Sequence, residues 1–230
     1  MAPAASSAAD PPALDAVATA AAPHGLAVLG ALHPGPDDGA PEATGTLVLL
    51  GPDGPGFWAV FAASPEYRDG GSHPMDRWST RVVGGLAASL GAGALYPFGG
   101  PPWTPFIAWA RASRHAFASR VGILVHDRAG LMVSYRGALA FPGRLALPPP
   151  GLSPCTTCTA APCRDACPAA ALTEAGYDVP ACRAWLDRPE GRDCLERGCR
   201  VRRACPVGAG RQPPAQSAFH AAAFHGRQAP

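Results

Sequence analysis

The chain has 230 residues (23.4 kDa), enough for one medium domain and a small module, with 47% hydrophobic and only 16% charged residues. Its 27 glycines and 28 prolines fill the difference and predict a large share of connecting loop. A formal net charge of +2 is too small to suggest a nucleic-acid partner, and the 19 basic residues are all arginine, so a Walker-type phosphate loop and lysine Schiff-base chemistry are both excluded.

Residues 1–24 are rich in Ala and Pro and lack the basic start and unbroken apolar core of a secretory signal. They are expected to be a flexible segment leading into a short helix. No window approaches the roughly 18 uncharged apolar residues of a membrane span, so a cytoplasmic protein without a membrane partner is expected. Residues 26–29 and 46–50 are short apolar runs bounded by Gly and Pro, the pattern of buried strands. Phe57, Trp58, Val60 and Phe61 begin a helix that Ser64-Pro65 stops, with Trp58 and Phe61 expected in the core. The clearest helix follows. Pro74 suits its first turn, Asp76 the positive end of its dipole, and Trp78, Val82, Leu86 and Leu90 recur four apart on one stripe.

Residues 94–96 read as a strand. The stretch Phe98-Gly99-Gly100-Pro101-Pro102-Trp103 then forms either a loop around a flat cofactor or a turn whose Trp packs into the core. A helix is predicted over 106–112. Residues 123–126 and 131–135 alternate about Asp127-Arg128-Ala129-Gly130, which predicts a two-stranded hairpin. His73 and His126 are the histidines best placed to face a pocket, but a neutral imidazole is as readily structural, and neither is assigned a catalytic role. Pro and Gly dominate residues 142–154, including Pro148-Pro149-Pro150, and mark a linker between an α+β domain at 25–141 and a small module at 155–230. In the module Asp178 can cap a helix with Pro180 in its first turn, Cys182 within it, and Trp185 and Leu186 on its apolar side. Residues 216–225 predict a last amphipathic helix, with Phe219 and Phe224, packing back on one of the domains.

All 8 cysteines of the chain fall between residues 155 and 206. One run reads Cys155, Cys158, Cys163 and Cys167-Pro168; after an isolated Cys182, the second reads Cys194, Cys199 and Cys205-Pro206. Both runs end in Cys-Pro, the ending of ferredoxin cluster-binding runs, in which three thiolates bind one cluster and the Cys before Pro reaches the other. Eight thiolates are what two 4Fe-4S clusters require. The competing readings are structural zinc, which favours paired Cys-x-x-Cys knuckles or Cys/His pairs, and disulfides, which need an oxidising compartment. With the cysteines engaged by metal, no nucleophile-base pair of the Cys/His kind is defended.

The segment 155–206 resembles the double 4Fe-4S module of epoxyqueuosine reductases and corrinoid-dependent reductive dehalogenases, which also place a lone Cys on a helix between two runs. The resemblance implies that Cys155, Cys158, Cys163 and Cys205 hold one cluster, and that Cys167, Cys182, Cys194 and Cys199 hold the other. Four residues, where the family has two, separate Cys158 from Cys163, and the second run is looser.

The upstream half resembles the cobalamin-processing protein of methylmalonic aciduria and homocystinuria type C, through Thr46-Leu-Val-Leu-Leu50, His73-Pro-Met-Asp-Arg-Trp78 and the Pro-rich exit after Tyr135-Arg136-Gly137. This implies a flavin-reductase/nitroreductase-like α+β domain ahead of the ferredoxin-like module, binding a corrinoid or a flavin. There is no Asp-x-His-x-x-Gly corrinoid signature and no Gly-x-Gly-x-x-Gly dinucleotide fingerprint. The expected function is electron transport by two 4Fe-4S clusters, at least one being required, to such a cofactor, with a redox partner protein supplying electrons. Such a chain is an oxidoreductase, or else a stand-alone carrier or docking protein whose α+β domain binds no cofactor.

Overall fold

The structure is a computed structural model, describing residues 13–173 and 176–226. A four-stranded antiparallel sheet organises the first half, in the order β1 (Leu26–Leu32), β2 (Thr46–Pro52), β6 (Gly137–Phe141), β3 (Gly93–Leu95). Strand β2 is an unbroken apolar run and is buried along its whole length, because the sheet is covered on both faces. Val48, Leu50 and Leu139 point to one side, under α1 (Leu14–Ala21), α2 (Gly56–Ala62) and α4 (Pro74–Leu90). Leu47, Leu49 and Ala138 point to the other, where they meet Phe106, Trp109 and Ala110 of α5 (Phe106–Ala112). The fold is α+β, as expected.

Helix α4 buries Trp78, Val82 and Leu86 of its stripe, and Gly91 in left-handed conformation ends it. Ser64 stops α2 and also caps the next turn, α3 (Pro65–Arg68), accepting from the Tyr67 N–H at 3.3 Å. The short helix expected at the end of the N-terminal segment forms from Leu14, with Val17 and Ala21 fully buried against the sheet; residues 1–12 lie outside the described residues. Two expectations are corrected. Trp103 is 66% exposed, not packed in the core.

The predicted hairpin forms only in part. Its turn closes between His126 and Gly130, but β5 (Leu124–His126) pairs with β4 (Ala116–Ala118) instead. Residues 131–135 are not a strand, because side chains of the second half take their carbonyls: Arg202 donates to Leu131 O at 2.6 Å and to Val133 O at 3.2 Å, and Gln212 to Met132 O at 3.2 Å. A carbonyl engaged this way is unavailable to a ladder.

After the extended segment 142–153 come β7 (Leu172–Thr173), β8 (Gly176–Tyr177), α6 (Val179–Leu186), α7 (Arg192–Arg197), α8 (Arg200–Ala204) and α9 (Pro214–His225). Among the described residues, the module has no core of its own. Leu172 and Val201 are buried together with Val121, Val125 and Leu131 of the first half, and with Cys163 and Cys205. Helix α9 returns to the first domain, where Phe219 packs on Trp58, Phe61 and Tyr67 at ring separations of 5.5 to 6.1 Å. No helix among the described residues is long and apolar enough to cross a membrane.

Candidate functional site

The eight cysteines are free thiols and border two separate cavities, four to each. Cys155, Cys158, Cys163 and Cys205 line a small one of about 20 Å³. Cys155 sits on a tight turn over Pro154–Thr156, held by the Thr156 hydroxyl donating to Ser153 O at 2.7 Å. Ala161, at φ +40°, turns the chain between Cys158 and Cys163, and Cys205 closes the C-terminal end of α8. The opposite wall belongs to the α+β domain: Ser119, Arg120, Val125 and Leu131, with Arg120 donating to Cys155 O at 2.6 Å.

This wall depends on glycine. A Cβ on Gly130, at φ +55°, would lie 1.7 Å from Val207 O and 3.0 Å from Cys205 Sγ; one on Gly208, at φ +81°, would lie 2.2 Å from Ala129 O. Backbone therefore meets backbone where the β5 turn docks against the Cys205 loop, at a closeness only glycine allows.

Cys167, Cys182, Cys194 and Cys199 border the second cavity, of about 690 Å³. Cys182 rides on α6, which Asp178 caps by accepting from the Ala181 N–H at 2.9 Å. Cys194 lies on α7 and Cys199 at the start of α8. The Cys167 sulfur accepts a hydrogen bond from the Ala171 N–H at 3.2 Å, and the Tyr177 hydroxyl and the Arg200 N–H lie beside Cys182 and Cys194, where they favour the thiolate. Arg202 lies beside Cys199, half-buried, with its guanidinium donating to the Leu131 and Val133 carbonyls. Asp193 gathers Arg197, Arg200 and Arg203 nearby.

Burial pushes the Cys163 thiol up, and the neighbouring thiols Cys155, Cys205 and Cys158 add to the effect. Burial likewise raises Cys182 and Cys194, each also beside Cys199. Four thiolates crowded out of water repel one another, so their ionised form fits a group that brings positive charge. Among the described residues, no three His, Cys, Asp or Glu side chains are gathered closely enough for a single-ion site. The thiols stand around their cavities instead. That arrangement and its all-sulfur donor set fit a polynuclear iron-sulfur core in each place.

His126 is fully buried, its Nε2 on Leu29 O at 2.8 Å and its Nδ1 accepting from the Arg128 and Ala129 N–H groups. It holds the β5 turn in shape. His73 occupies the N-cap position of α4 in left-handed conformation. Sequence reasoning passed over Tyr177, Gly130 and the pair His115–Asp127, bonded at 2.6 Å, which lies beneath Gly151 of the linker. Gly130 carried a signal as a turn residue, and Arg202 stood out only as one of three arginines, with Arg200 and Arg203, beside the last cysteines. Compared with protein-family models, curated proteins and solved structures, the chain finds no match.

Proposed function

We propose that this chain is a cytoplasmic iron-sulfur electron-transfer protein, holding two 4Fe-4S clusters on its two thiol sets and delivering single electrons to a cofactor, a corrinoid or a flavin, against its flavin-reductase-like domain. The observation that carries the reading is the sorting of the thiols: the two groups around the two cavities are the two ligand sets implied by the resemblance to the epoxyqueuosine reductase module. In that sorting, Cys167 and Cys205, each followed by Pro, join the set made mainly by the other run. A bound 4Fe-4S cluster takes up and releases one electron at a time.

The chain's own residues supply position and surroundings. Cys163 and Cys205, each 8% exposed, are the buried half of the first set, and Cys155 and Cys158 are half-buried. Ala171 donates to the Cys167 sulfur of the second set, Tyr177 and Arg200 place polar hydrogens beside Cys182 and Cys194, and Arg202 offsets negative charge there. The β4–β5 arm and α5 wall the cavity beside that second set, which is the place for an acceptor.

Anaerobic reconstitution tests the reading: about eight iron and eight acid-labile sulfide per chain are expected, and stoichiometric zinc without sulfide overturns it. An absorbance scan after gel filtration, with and without added hydroxocobalamin or flavin, separates the two kinds of redox protein. A retained extra chromophore marks a reductase. Cluster colour alone marks a plain carrier or docking protein.

A further inference from the structure

The two thiol sets offer an internal comparison of size. If both hold the same kind of cluster, a cavity of about 20 Å³ serves the first, whereas the second set borders about 690 Å³. That volume lies in the range of small-molecule sites and exceeds what a second identical cluster needs. Its walls are apolar, from Leu131, Val133, Leu172 and Leu186, and aromatic, with Trp185 and with Tyr177 stacked on Phe224 at 6.0 Å and 19°.

The charge around it has one sign. Arg111, Arg200 and Arg202 border the cavity and no Asp or Glu does. Arg202 is committed to two carbonyls and Arg200 to Asp193. The Arg111 side chain, exposed on α5, makes no hydrogen bond or ion pair among the described residues, and the neighbouring rim residue Ile107 is 67% exposed. An apolar, aromatic-walled cavity with a free guanidinium at its rim suits a flat ring that carries an anionic group.

We infer that this cavity binds a planar aromatic redox ring bearing an anionic substituent, with the ring among Leu131, Trp185 and Phe224, beside the Cys167/Cys182/Cys194/Cys199 set, and the anion on Arg111. The inference rests on the proposed function for the redox character of the ligand and on the cavity alone for its shape and charge.

The test uses FMN and riboflavin, which share the ring and differ in the phosphate, and measures equilibrium binding by dialysis to the reconstituted full chain of known iron content. FMN is expected to bind at least about tenfold more tightly than riboflavin, the size of a charge-assisted hydrogen bond. Arg111→Gln removes that difference by weakening FMN alone. Ile107→Glu, a change on an exposed side chain, weakens FMN more than riboflavin. Arg114→Gln, in an exposed arginine that does not border the cavity, leaves both unchanged.

Equal binding of FMN and riboflavin, no binding of either, or equal losses in Arg111→Gln and Arg114→Gln overturns the inference, as does hydroxocobalamin binding in preference to FMN. If such a result comes from protein with about eight iron per chain, the proposed electron-transfer function stands and the ligand assignment falls. If the FMN preference appears in protein that takes up no iron, the site stands and the electron-transfer reading falls.

Discussion

Cys155, Cys158, Cys163 and Cys205 surround a small cavity closed by glycine backbone at residues 130 and 208, whereas Cys167, Cys182, Cys194 and Cys199 border a large one into which Tyr177, Arg202 and Trp185 also face. The donor atoms are alike and the surroundings differ. At the first set the neighbouring side chains contribute walls and one guanidinium, Arg120, which is spent on Cys155 O. At the second, the Ala171 N–H bonds the Cys167 sulfur, the Tyr177 hydroxyl lies beside Cys182, and Arg200 and Arg202 bring positive charge, which together favour the more negative, reduced state of a cluster and raise its potential. An electron shared between two such clusters is therefore expected to rest on the second, next to the cavity where an acceptor has room.

The largest test of this comparison is to remove the metal. The first set is woven into the apolar group formed by Val121, Val125, Leu131, Leu172 and Val201, and among the described residues the module has no separate core, so iron binding is expected to supply much of its stability. Chelation should open residues 155–211 to protease while the sheet of residues 26–141 stays protected. Unchanged protease resistance and unchanged cooperative unfolding in the apo chain would refute this.

Single thiols come next. Cys182→Ala is expected to lose or convert one cluster and leave the other's spectrum intact, and Cys163→Ala to do the converse. Full occupancy of both clusters in Cys182→Ala would make that cysteine structural and reduce the resemblance to one cluster. Gly130→Ala sharpens the contrast without touching a ligand. Its methyl meets Val207 O at an impossible 1.7 Å and its φ is positive, so a destabilisation of about 2–4 kcal/mol is expected, with iron lost from the first set only. Thermal unfolding together with iron counts would check it, and loss from the second set instead would contradict the assignment of that wall.

The smallest effect is electronic. Tyr177→Phe removes the hydroxyl beside Cys182; a hydrogen bond to sulfur of roughly 1 kcal/mol lost there should lower one cluster's potential by about 40 mV and leave the other where it is. A redox titration followed by paramagnetic resonance reads both values. A shift in both clusters, or in neither, would break the asymmetry argued above.

Local chemistry made much of this protein legible in its sequence. The four-residue recurrence from Trp78 to Leu90, the apolar run 46–50, the Asp178 cap and the eight clustered cysteines each depend on neighbours close in the chain. Their outcomes follow from periodicity and capping, which a single chain displays. The Cys-Pro endings also carried the division of thiols between the runs.

Other features were decided by the tertiary structure alone. The alternation over 131–135 is compatible with a strand, yet its carbonyls went to Arg202 and Gln212, at 71, 69 and 80 residues' separation. The composition of residues 14–24 allows a short helix but does not tell that Val17 and Ala21 will be buried against the sheet. The boundary drawn at the prolines separates two stretches of chain but not two cores, because Leu172, Val201 and the thiols share their packing with Val125 and Leu131. Likewise, the hydroxyl of Tyr177, the charge of Arg202 and the room beside Cys182 acquire meaning only once distant segments meet. Hydrogen-bond partners and burial are properties of the assembled chain, and no local pattern encodes which remote group will claim a given carbonyl or cover a given side chain.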